Sequence, residues 1–171
     1  MGSPFWNFSL AVYGASAVQD ECLNLQNEFG LDVNLILLCA FLGAIHGVAL
    51  TADDIAVARG QVQQWQEQVV RPLRAARRNL KTAELTAARD AAATTQLRAQ
   101  VKAAELESER IEQMMLEQWA EARLATWPRG KAGDAVSANL QALFAAYGIG
   151  SERLAAAQHI VAAATDQTTS E

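Results

Sequence analysis

The first 58 residues contain no lysine and no arginine, and the whole chain holds only three prolines, two cysteines and two histidines. Each scarcity excludes something. Without a positive segment at its start the chain lacks the basic lead of a secretory signal, which points to a reduced, cytoplasmic protein. Cys22 and Cys39 supply neither a disulfide framework nor a ligand set, and among apolar neighbours each reads as a small hydrophobe. His46 stands at the far end of its apolar segment from Asp32 and Asn34, too distant for a catalytic pair on one helix. His159 lies alone in an Ala-rich stretch. No nucleotide fingerprint, nucleophile motif or metal-ligand spacing appears, so no catalytic residue, cofactor or metal is assigned.

What is abundant is apolar and helix-forming. Hydrophobic residues make up 51% of the 171 positions, with Ala and Leu leading, and prolines and glycines are too few for many short strands joined by turns. The expected fold is all-α: one helical domain over residues 1–171, a compact bundle with a long helical hairpin. The run "VNLILLCAFLGAIHGVAL", residues 33–50, has eighteen positions without a formal charge, close to the roughly 20 that a bilayer span needs. Acids alone flank it (Asp32, then Asp53 and Asp54), and Asn34 and His46 lie inside it, so it reads as a buried central helix and not a membrane span.

Punctuation places the other elements. Ser3 and Pro4 open a helix over 4–13, Ser16 can cap a second through Phe29 with Gly30 as its stop, Asp32 caps the apolar helix, and "TADD" at 51–54 is an Asp version of a capping box. Pro72 falls inside the next helical run, where it removes the donor for the carbonyl of Gln68 and predicts a bend. A turn is expected near residues 89–95. From Leu97, the positions Val101, Ala104, Ser108, Ile111, Met115, Gln118 and Ala122 step by threes and fours and predict the packed stripe of a long amphipathic helix. "TWPRGKAGD", residues 126–134, reads as a linker or turn, Asp134 as the cap of a helix to Tyr147, residues 151–164 as a short last helix, and 165–171 as a frayed tail.

Charge is unevenly spread. Residues 1–58 carry six acids and no base, whereas residues 59–81 carry six bases and one acid. In "VVRPLRAARRNLK", Arg71, Arg74 and Arg78 share a helix face with Arg77 and Lys81 alongside, and the preponderance of Arg suits planar, bidentate contacts to carboxylate or phosphate. Two readings stand. The cluster either pairs internally, with acids of the first 58 residues or of "ELESERIEQ", or presents a surface to a partner or an anion. The internal reading carries a specific expectation, that Arg74 and Arg78 together clamp carboxylates.

The stretches "FWNFSLAVY", "ECLNLQNEFGLDVNLILLC", "VVRPLRAARRNLK" and "AAELESERIEQMMLE", in this order and spanning roughly residues 4–120, resemble a family of small all-helical proteobacterial proteins that is defined only as a domain of unknown function. The resemblance implies a bacterial cytoplasmic protein and carries over no catalytic or binding residue. The function expected is that of a non-catalytic helical protein acting through protein–protein contacts, with a protein partner or a homo-oligomer. The alternative is an anion-binding or small-ligand-binding protein that uses the basic helix 71–81, with Asp32 and Asn34 as polar groups of a pocket. Nucleic acid ranks lower as a partner, because the sequence pI is near 5.1 and no aromatic side chain lies within 71–81 to stack a base.

Overall fold

The structure is a computed structural model that describes residues 2–82 and 91–169. It is helical throughout: among the described residues there is no strand, only one isolated antiparallel bridge between Val48 and Arg129. The helices are α1 (Pro4–Tyr13), α2 (Val18–Phe29), α3 (Val33–His46), α4 (Ala52–Trp65), α5 (Arg71–Asn79), α6 (Ala91–Glu121), α7 (Ala132–Ala146) and α8 (Gln158–Asp166). A π-helical turn, Gln66–Val70, links α4 to α5, and 3₁₀ turns at Ser151–Ala157 and Gln167–Thr169 flank α8. The chain divides into two compact units, residues 1–61 with 113–171 and residues 62–112.

Local sequence chemistry sets many of the boundaries. The Ser3 hydroxyl accepts the Trp6 N–H at 3.2 Å, the Asp32 carboxylate accepts the Asn34 N–H at 2.9 Å, and Thr51 and Asp54 bond reciprocally as the capping box requires. Gly30 and Gly47, both left-handed, end α2 and α3. Ser16 does not cap α2. That place falls to Ala17, in a left-handed conformation without a side-chain cap, and Asp20 and Glu21 in the first turn complement the helix dipole instead.

The larger unit is organised around α3. Its fourteen residues rise about 21 Å at ~1.5 Å per residue, short of a ~30 Å hydrocarbon core. Every residue from Asn34 to Ala44 is buried, as a central helix requires. No helix among the described residues is long and apolar enough to cross a membrane. Helix α7 lays Ala135, Val136, Asn139, Leu140, Leu143 and Phe144 on one buried face, and Gly43 of α3 lets its backbone approach closely: a Cβ there would sit 2.6 Å from the Val136 nitrogen. Asn139 is fully buried and bonds three backbone groups of the α3–α4 region, accepting from Leu50 N at 2.7 Å and donating to Cys39 O at 3.0 Å and Val48 O at 2.9 Å. Phe5 packs tilted and Phe8 edge-on against Phe41, with centroids 5.2 and 5.3 Å away.

The second half of the chain differs in detail from its sequence pattern. Helix α7 starts at Ala132, two residues before the expected cap, which leaves Asp134 in its first turn. Of the turn expected near 89–95, residues 91–95 are helical and 89–90 lie outside the described residues. Helix α8 extends to Asp166 and a 3₁₀ turn covers Gln167–Thr169, with the Thr165 and Thr168 hydroxyls donating to carbonyls of the preceding turn; 170 and 171 lie outside the described residues.

Candidate functional site

The cationic stretch belongs to the unit of residues 62–112. Pro72 cannot donate to the Gln68 carbonyl, and the chain accommodates this without breaking: the π-helical turn Gln66–Val70 closes with the Arg71 N–H on the Gln66 carbonyl, and α5 follows directly. The π turn leaves Gln66 buried, with its amide nitrogen 3.1 Å from each carboxylate oxygen of the fully buried Glu112. The Trp65 indole donates to the Ser108 carbonyl at 3.0 Å. One turn into α5, Arg74 donates from Nε to Glu105 at 3.1 Å and from Nη2 to Glu109 at 2.7 Å. Arg77 grips Glu105 bidentately, through Nε and through Nη2 at 3.1 Å. Partners on α6 fall in number as those on α4 and α5 rise, so the two segments run antiparallel as a helical hairpin.

This is a polar interior. Burial alone would raise the Glu105 carboxyl, but hydrogen bonds from Arg77 and Arg74 outweigh it and hold the group below the ordinary glutamate range. Burial works to lower Arg74, and its bonds to Glu109 and Glu105 reverse that, so the guanidinium lies above its usual value. Geometry this close suits a structural clamp: a planar fork meets a carboxylate in the arrangement that recovers most of its desolvation cost.

The five cations therefore divide. Arg74 and Arg77 are half-buried and turned to α6, whereas Arg71, Arg78 and Lys81 are exposed. Arg71 and Lys81 make no ion pair among the described residues. Arg77 shares Glu105 with Arg74, and the carboxylates that these two arginines bond come from "ELESERIEQ" and not from the first 58 residues. Asp32 and Asn34 belong to the other unit. There Asp32 is the cap of α3, and the buried Asn34 accepts from Gln113 Nε2 at 2.9 Å. Among the described residues no group of three His, Cys, Asp or Glu could hold a metal ion.

The stripe expected on α6 holds in part. Ser108 is buried and Val101, Ile111 and Met115 are half-buried, but Leu97, Ala104, Gln118 and Ala122 are exposed, while Glu105, Glu112 and Leu116, beside the stripe, are buried. Reading for apolar periodicity passes over this face because two of its members are glutamates. The signal that marks it is Glu105, Glu109 and Glu112 at spacings of four and three, the first two facing Arg74 and Arg77 at a spacing of three and the last facing Gln66.

A family model described as "Protein of unknown function (DUF2390)" matches residues 4–116. The chain belongs to the DUF2390 family. The DUF2390 match takes in α1 to α5 and α6 as far as Leu116, and so includes Arg74, Arg77, Glu105 and Glu112, but ends before α7 and α8. Neither a curated protein nor a solved structure matches the chain.

Proposed function

We propose that this DUF2390 protein is a non-catalytic, cytoplasmic binding protein whose exposed cations on and after α5 dock an acidic protein surface. The observation that carries the reading is the division of the cluster. Arg74 and Arg77 bond Glu105 and Glu109, whereas Arg71, Arg78 and Lys81 are exposed on and just after a helix fixed in place by that clamp. Pre-organised charges of this kind raise the rate of encounter with an opposite surface and set its orientation, more than they add raw affinity. Cytoplasmic location accords with two free, buried cysteines whose thiols burial pushes up to about 12.

A fluorescent Glu-rich helical peptide and a short DNA duplex, titrated separately with the whole chain at about 50 mM salt, test the reading. The expected result is peptide binding that weakens about tenfold or more in Arg71→Glu/Arg78→Glu/Lys81→Glu, as for the loss of steering charges. A chain that leaves the peptide unbound overturns it. Duplex binding with a steep salt slope and no peptide binding would assign the same cations to phosphate instead.

A further inference from the structure

We infer that the acidic surface met by these cations is helix α2 of a second copy of this chain. The inference rests on the docking reading above and names its partner. Along α2, Asp20, Asn24, Asn27 and Glu28 recur at spacings that share one helix face, and all four are exposed. No base lies within the first 58 residues to neutralise them. Among the described residues Arg153 is the cation that pairs on this face, 3.8 Å from Glu28 with both side chains more than half exposed, an arrangement worth little in water.

The spans match. Asp20 and Glu28 are eight residues apart, about 12 Å along the axis at ~1.5 Å per residue, and Arg71 and Arg78 are seven apart, about 10.5 Å. Between the two charges on α2 stand amides, which accept and donate hydrogen bonds to guanidinium groups without repelling them. The sequence is also polarised at the level of whole units: residues 62–112 hold nine bases and seven acids, and the rest of the chain holds five bases and twelve acids. Each copy thus offers one surface of each sign, which is what association between copies through unlike surfaces requires.

Sedimentation velocity of the whole chain at about 50 mM and about 500 mM salt tests this, since exposed charge pairs are screened over that range. The weight-average mass should rise with concentration above the 18.4 kDa of one chain at low salt and return to it at high salt. Arg71→Glu/Arg78→Glu/Lys81→Glu and Asp20→Lys/Glu28→Lys, each checked for parental helix content, should separately lose association about tenfold or more. Mixing the two variants should restore it, because the reversed charges again face opposite signs. A parent that stays monomeric at about 100 μM, a concentration that reveals even a ~5 kcal/mol contact, overturns the inference. So do reversal variants that associate like the parent, or a mixture that does not recover. If the chain is monomeric yet binds the Glu-rich peptide, only the identity of the partner falls; if the peptide also fails, the docking reading falls with it.

Discussion

Residues 1–61 with 113–171 and residues 62–112 belong to one chain but are held together by different physics. In the larger unit the buried set runs from Phe5, Leu25 and Leu38 to Leu140 and Phe144, and apolar side chains far outnumber the buried polar ones, Ser9, Asn34, Gln113, Glu117 and Asn139, of which Asn139 bonds three backbone groups. In the smaller unit the buried apolar side chains among the described residues are Val62 and Val70, and they are outnumbered by Gln66, Glu105, Ser108 and Glu112. Apolar burial is non-directional and tolerates approximate fits. Paired charges do the opposite: a guanidinium fork satisfies one carboxylate in one register, so the clamp specifies how α5 lies on α6 while adding little net stability. The smaller unit is therefore the one whose order should respond to pH, salt and single charge changes.

The largest effect should come from breaking the Asn139 network in the larger unit. Asn139→Ala removes the side-chain partner of the Leu50 N–H and of the Cys39 and Val48 carbonyls at a fully buried position, at about 1–3 kcal/mol for each group left unsatisfied, so a total loss of about 4 kcal/mol is expected in a chemical melt. A loss below about 1 kcal/mol would mean that water reaches the site and that this interior is less dry than its burial indicates.

Next in size is Glu105→Gln, which removes the charge shared by Arg74 and Arg77 and leaves Glu109 as the acid bonded to Arg74. The clamp is only partly buried, so the expected cost is about 2 kcal/mol, below the 3–5 typical of a fully buried pair. The Trp65 indole N–H, which bonds the Ser108 carbonyl, gives an NMR resonance inside the smaller unit; the Leu50 amide gives one inside the larger. The indole should lose its dispersion and the amide should keep it. Replacing Arg74, Arg77 and Glu105 together by Leu should recover most of the loss, since apolar side chains of similar size need no partner.

How much of this was legible in the sequence follows from how local each feature is. The Ser3, Asp32 and Thr51 caps, the Gly30 stop and the burial of α3 all depend on residues within one turn or on a continuous apolar run, and the structure has them where the sequence places them. The buried face of α6 was not legible, because a glutamate signals solvent unless its partner is known, and the partner lies 28 residues away in Arg77. The same holds for Asn139, whose partners Cys39, Val48 and Leu50 are about ninety to a hundred residues distant. The left-handed Ala17 escaped for another reason: Ser16 beside it is the better cap by propensity, and only the turn geometry between α1 and α2 decides.

Acid should separate the two units more gently than mutation. The folded Glu105 carboxyl lies below its ordinary range, so the stability it contributes is complete at neutral pH and is lost as the pH falls through the folded value. In a titration from pH 6 to pH 3 the Trp65 indole resonance should move toward its unfolded position before the Leu50 amide does. Asp54, which caps α4 in the larger unit, is also held low, by bonds from Thr51 and Trp127 that outweigh the opposing effect of burial. Its protonation should fray one exposed helix end without opening the apolar interior, since a cap is worth only about 1 kcal/mol. Simultaneous loss of both resonances would break the comparison.

The smallest expected effect is also the most discriminating. Cys22 and Cys39 both lie in the larger unit, fully buried, with burial the main cause that pushes each thiol up to about 12. Thiolate is the reactive form, so at pH 8 neither should react with a soluble disulfide reagent unless the larger unit opens. Labelling then follows the opening of that unit alone. In Glu105→Gln the Trp65 resonance should change while the labelling rate stays within about twofold of the parent, because the two sites share no partner and their energies add independently. If labelling instead accelerates by about the thirtyfold that ~2 kcal/mol corresponds to, the clamp and the apolar core unfold as a single cooperative body.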